Sequence, residues 1–143
     1  MKKLFLSMVV IFCLSLVVKS QTARDTLGIK QAALDYFEGW YSRDTTRVGR
    51  ALHPMLAKHT FQKEDASKVK LSTRESLLGY LKTKEPKEIN KKELQISIDI
   101  YDIHEKIASA KVESKDYYDY IHLMKFGNEW KIINVLWLRK PKL

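Results

Sequence analysis

The side chains best suited to chemistry in this chain are aromatic and imidazole groups placed at helix or strand spacing. Tyr36 and Trp40 stand four residues apart in one segment, His122 lies in an alternating stretch, and Trp137 lies in the next. Trp40 and Trp137 offer flat faces on which a planar molecule such as a pterin or flavin can stack, and the same spacing serves core packing. The His122 imidazole titrates near neutrality, which suits a proton donor, a ligand-orienting group or a core histidine bonded to Tyr36 or to backbone. Tyr36 can fill the core of its helix or lend its hydroxyl to a site. The 4 histidines are scattered with no metal-ligand spacing, and neither a Gly-rich phosphate loop nor a Ser-His-Asp order is present. No metal and no cofactor is expected. His53, just before Pro54, is expected to sit at a helix end with its imidazole near the last carbonyls.

The elements that must position these groups follow from hydrophobic period. Ile29, Ala32, Ala33, Tyr36, Phe37 and Trp40 recur at helical spacing and predict a first helix from Asp25 to about Tyr41. Asp44 is a ready N-cap for a short second helix through Val48, Ala51 and Leu52, ending at His53-Pro54. Leu56 to Phe61 and Val69 to Leu71 read as weak strands. Ser72-Thr73-Arg74-Glu75 reads as a capping box opening a third helix through Leu77, Leu78 and Leu81, and Pro86 lies in a charged linker after it. The period then becomes two. Leu94, Ile96, Ile98 and Ile100 predict one strand, Ile107 to Ser114 a second, and Tyr117 to Phe126 and Glu129 to Leu138 a hairpin across Gly127-Asn128. Helices first and a long antiparallel meander afterwards predict an α+β fold with helices on one side of a curved sheet.

A chain of 143 residues, 45% hydrophobic and 30% charged, supports one globular domain and excludes collagen-like, low-complexity and disordered classes. Lys2 and Lys3 followed by the apolar run Leu4 to Val18 predict a secretory signal peptide over residues 1–20, cleaved after Ser20. The mature domain, residues 21–143, is then exported to the periplasm or the extracellular space. The run is shorter than the roughly 20 residues needed to span a bilayer, so an uncleaved anchor, the alternative, would be short, and after cleavage no membrane association is expected. Cys13 leaves with the signal, and the mature chain depends on packing without a disulfide. Its excess basic charge falls in the linker, at Lys82, Lys84, Lys87, Lys91 and Lys92, and in the tail, at Arg139, Lys140 and Lys142. Such a distribution argues against a nucleic-acid partner.

Regular pairing across Gly127-Asn128 predicts Tyr118, Tyr120 and His122 on one sheet face with Ile133, Val135 and Trp137. Asp119, Ile121 and Leu123 then share the other with Ile132, Asn134 and Leu136. Both faces are largely apolar, so helices are expected to cover one and a homodimer partner the other. With the faces reversed, Asp119 and Asn134 would line the pocket.

The strings GWYSRD (39–44), RALHPMLAKH (50–59), IASAKVESKDYYDYIHLMKF (107–126) and EWKIINVLW (129–137) resemble the nuclear-transport-factor-2-like superfamily. Within it they are similar to the small proteins called "putative lumazine-binding", over 26–137. The resemblance implies a cone-shaped α+β fold, three N-terminal helices packed on a curved, mainly antiparallel sheet, with a pocket between them. IHLMKF resembles the ketosteroid-isomerase strand bearing a buried acid, which falls on His122; YFEGWYSRD resembles the segment bearing an oxyanion tyrosine, which falls on Tyr36. The isomerase base falls near Thr60, beside His59, where no carboxylate stands. The pocket residues expected are therefore Tyr36, Trp40, His59, Tyr120, His122 and Trp137, with no catalytic residue assigned. The function implied is binding of a small planar or apolar molecule by an exported homodimer. The alternative is a lyase- or isomerase-type enzyme using His122 and Tyr36, with His59.

Overall fold

The computed structural model describes residues 23–141, and the expected signal peptide and its cleavage site lie outside the described residues. Helix α1 covers 23–42 and buries Ile29, Ala33, Tyr36 and Phe37 along one stripe. It stops in a Schellman arrangement: Arg43 is left-handed at φ 63°, Asp44 N donates to Gly39 O at 2.8 Å, and Arg43 N donates to Trp40 O at 3.3 Å. Asp44 then caps α2, Thr45–Ala51, by accepting from Arg47 N. The two helices pack so closely that a Cβ on Gly39 would lie 2.9 Å from Val48 Cγ2. Asp35 of α1 bridges to Arg47 and Arg50, and Glu38 to Arg47 and Lys91, which ties both helices to the segment before the meander.

Strands β1 (Leu52–Phe61), β2 (Val69–Ser72), β3 (Ser97–His104), β4 (Ile107–Glu113), β5 (Tyr117–Phe126) and β6 (Glu129–Arg139) form one six-stranded sheet in the order β2-β1-β6-β5-β4-β3. Only the β1–β6 pairing is parallel. Helix α3, Arg74–Lys82, stands between β2 and β3. Among the described residues the architecture is thus one long and two short α-helices with a mostly antiparallel sheet, and the third helix follows two strands rather than preceding the sheet. The core lies where Ile29, Ala33 and Phe37 of α1 meet the row Ala110, Val112, Ile121, Leu123, Ile132 and Val135. Among the described residues no helix is long and apolar enough to cross a membrane.

Four local expectations are corrected. The second helix ends at Ala51, and His53 is in β1, where its Nδ1 accepts from Met55 N at 3.1 Å and its ring stacks on Phe126 at 4.5 Å. Pro54 is tolerated in the strand because the β1–β6 register is interrupted between Leu52 and Ala57, so no ladder bond is asked of its nitrogen. The third strand starts at Ser97: Leu94 closes a 3-10 turn, Lys91–Leu94, and Gln95 turns left-handed at φ 51°.

The cap of α3 is Thr73 rather than Ser72. Thr73 Oγ1 accepts from Ser76 N at 3.2 Å and Ser76 Oγ accepts from Thr73 N at 3.0 Å, so the reciprocal partner is Ser76, not Glu75. Thr73→Ala is accordingly expected to lower stability by about 1 kcal/mol, and Ser72→Ala by less. Equal urea midpoints for the two variants would contradict this placement of the helix start.

The fourth correction concerns the β5–β6 hairpin and decides what faces the helices. Gly127, at φ 62°, makes the turn, and pairing starts as expected with Phe126 opposite Glu129. Leu123 pairs with Ile132 but His122 pairs with Asn134, leaving Ile133 as an extra residue in β6. This β-bulge shifts the register by one, and a one-residue shift exchanges faces. Beyond it Ile121 lies opposite Val135 and Asp119 opposite Trp137. Val135 and Trp137 therefore share a face with Asp119 and Ile121, not with Tyr120 and His122.

Candidate functional site

A cavity of about 390 Å³ lies between α1, α3 and the sheet, within the roughly 300–1,000 Å³ range of small-molecule sites. Tyr36, Phe37 and Trp40 reach it from consecutive turns of α1; Leu77 and Tyr80 come from α3; Lys58, Tyr117, Asp119 and Trp137 come from the sheet. Trp40 and Tyr80 stack at 5.8 Å and 21°, linking the two helices, while Tyr117 meets Trp137 edge-on at 5.5 Å. Lys70 and Ser72 of β2 and Ser76 of α3 add polar groups to the lining.

The polar heart of the cavity is a buried triad. Lys58 Nζ donates to Asp119 Oδ2 at 2.7 Å and to Tyr36 OH at 2.5 Å, and it lies 4.7 Å from the centre of the Trp137 ring and 5.1 Å from that of Tyr36. Asp119 is 1%, Tyr36 4% and Lys58 7% exposed. Burial pushes the Lys58 ammonium below its ordinary pKa, with Asp119 opposing, and pushes the Asp119 carboxyl above its own, with Lys58 opposing. Burial first, and then the nearby Asp119, raises the Tyr36 hydroxyl well above the ordinary tyrosine value, so it stays protonated. An ion pair removed from water is stable only when its geometry and further hydrogen bonds offset desolvation; here the tyrosine hydroxyl and two aromatic faces supply that support.

Two buried atoms in this lining have no hydrogen-bond partner: Asp119 Oδ1, an acceptor, and Trp137 Nε1, a donor. They belong to residues directly opposite each other on β5 and β6.

Of the residues expected to form the pocket, Tyr36, Trp40 and Trp137 line this cavity. His59, Tyr120 and His122 do not. His59 pairs with Leu136, and Leu136 with Tyr120, in a row on the opposite, outer face of the sheet. His122 is on that face too, its Nδ1 3.3 Å from Asn134 Oδ1, beside a separate hollow of about 340 Å³ formed by Ile107, Met124 and Ile133 among others. The bulge at Ile133 is the physical reason for this division. Lys58, Lys70, Tyr80 and Tyr117 also line the cavity, and no motif in the sequence singles them out. The available signal for Lys58 was its place two residues after Leu56, a charge in the inward row of a strand. Among the described residues no group of three His, Cys, Asp or Glu side chains is placed to hold a metal ion.

The sequence profile of the family described as "Putative lumazine-binding" matches residues 24–138, nearly the whole described chain and all but the last residue of the sheet. The chain belongs to this family. No curated protein matches it significantly. Solved structures with the same fold include an NTF2-like protein of unknown function from Shewanella baltica OS155. It is 17% identical with a TM-score of 0.67, over 84% of this chain and 97% of that one. A "Putative Scytalone Dehydratase" from Novosphingobium aromaticivorans DSM 12444 is 12% identical with a TM-score of 0.60, over 86% and 89%. A "putative ketosteroid isomerase" from Shewanella frigidimarina NCIMB 400 is 14% identical with a TM-score of 0.51, over 78% and 94%. The chain's fold is therefore the NTF2-like one, and at these identities the likeness extends to fold alone.

Proposed function

We propose that this family member is an exported, dimeric binding module whose cavity takes a small planar molecule presenting a hydrogen-bond donor and an acceptor side by side. The observation that carries this is the unpartnered pair, Asp119 Oδ1 and Trp137 Nε1, set beside a stack of aromatic walls. Buried polar atoms are almost always satisfied, and a ligand with an N–H and a C=O on one edge, such as a cyclic amide or imide, satisfies both at once. Lumazine, the compound in the family's description, is a planar bicyclic dione of this kind. Binding is favoured over the isomerase-type alternative because Tyr36, in α1, and His122 lie on opposite sides of the sheet, and no carboxylate stands near Thr60, where the base is expected. Native mass spectrometry of the protein from its source cell should show a retained low-mass aromatic compound. Repeated spectra of bare polypeptide would contradict the proposal.

Export is supported by the basic pair and apolar run that precede the family-matched segment. A dimer is supported by the outer sheet face, where Tyr118, Tyr120, Met124, Leu136 and Leu138 are exposed together. The mature chain is expected to sediment as a dimer at micromolar concentration and Leu136→Lys as a monomer. Wild-type monomer throughout would defeat this assignment.

A further inference from the structure

We propose that Lys58 captures small aldehydes or ketones entering the cavity, as a reversible iminium; this rests on the cavity being the ligand site. Imine formation needs an amine that can become neutral, a group to take and return its proton, and exclusion of the water that reverses the reaction. Lys58 is 7% exposed and has both a carboxylate and a hydroxyl against its nitrogen. Its nitrogen is 2.7 Å from the Asp119 carboxylate and 2.5 Å from the Tyr36 hydroxyl, in an aromatic-walled cavity. Lys70, the other cavity lysine, is exposed and lacks such partners in the cavity.

The steps balance without an added reactant. The ammonium passes a proton to Asp119, and the freed nitrogen lone pair forms a bond to the carbonyl carbon, whose π electrons move to oxygen. One N–H proton is relayed to that oxygen, giving a neutral carbinolamine, with Tyr36 O–H placed to hydrogen-bond the oxygen. Asp119 then returns its proton to the carbinolamine hydroxyl. The C–O bond breaks, water leaves, and the nitrogen lone pair closes the C=N bond. The product iminium has the charge of the original ammonium, so Asp119 keeps its counter-ion and the Trp137 face keeps its cation. Burial lowers the Lys58 pKa and so assists the first transfer, while the raised pKa of Tyr36 keeps its hydroxyl protonated as a donor.

The test is reductive trapping. The folded wild-type protein is incubated with benzaldehyde and cyanoborohydride at pH 7, and early benzylation is mapped peptide by peptide. Lys58 should be labelled at least ten times faster than any other lysine. Asp119→Asn and Tyr36→Phe, each verified as folded by circular dichroism, should slow that labelling tenfold or more while leaving the surface lysines unchanged. Labelling spread over surface lysines with Lys58 untouched would overturn the proposal, and since this readout is on the wild type, no variant need fold for it to decide. If Lys58 is untouched while lumazine still binds, covalent capture fails and the binding module stands; if lumazine also fails to bind, both fall.

Discussion

Replacing Asp119 with alanine is expected to destabilise the fold by about 3–5 kcal/mol, the range for removing one partner of a buried ion pair. Asp119 is 1% exposed and Lys58 7%, so truncation leaves an ammonium in a cavity with a hydroxyl and two ring faces but no counter-charge. The penalty is mainly that of the stranded cation rather than the worth of the pair. The double variant Lys58→Met, Asp119→Leu removes both charges and keeps side-chain volume, and should recover most of the loss. Urea denaturation of the single and double variants measures this directly. A double variant as unstable as Asp119→Ala would mean that packing, not the unpaired charge, sets the cost.

Much of the fold was legible because its signals are local. The 3.6 period of Ile29 to Trp40, the Asp44 cap, the period-two run of Ala108, Ala110 and Val112, and the Gly127-Asn128 turn each act over a few residues, and each stands in the structure as read. Sequence and structure part where neighbouring signals compete or where pairing is non-local. Two hydroxyls stand side by side at Ser72 and Thr73, and only the strand pairing of Ser72 with Lys58 shows which one is free to cap. The face of Trp137 depends on one extra residue at Ile133, and nothing in the alternation of Ile132 to Trp137 marks where a bulge falls, since Ile132 and Ile133 are equally apolar. Lys58 is hidden for a related reason: in a strand of weak pattern a lysine is ordinarily a solvated side chain, and its burial depends on a carboxylate 61 residues away.

The second large effect concerns recognition. Trp137→Phe keeps an aromatic ring but deletes the Nε1–H donor, leaving a ligand acceptor buried without a partner, a loss of about 1–3 kcal/mol or roughly 5- to 150-fold in affinity. Asp119→Asn, which keeps shape but removes the charge accepting from the ligand, should weaken binding by a similar factor. His122→Ala should not change it, because His122 pairs with Asn134 on the outer face and makes no part of the cavity lining.

Calorimetric titration of lumazine into the wild-type, Trp137→Phe and His122→Ala proteins is the most direct test of the cavity as the ligand site. Saturable one-to-one binding that drops with Trp137→Phe and is unchanged in His122→Ala is the expected result. Binding lost with His122→Ala but retained in Trp137→Phe would contradict the account and place the ligand on the outer face of the sheet.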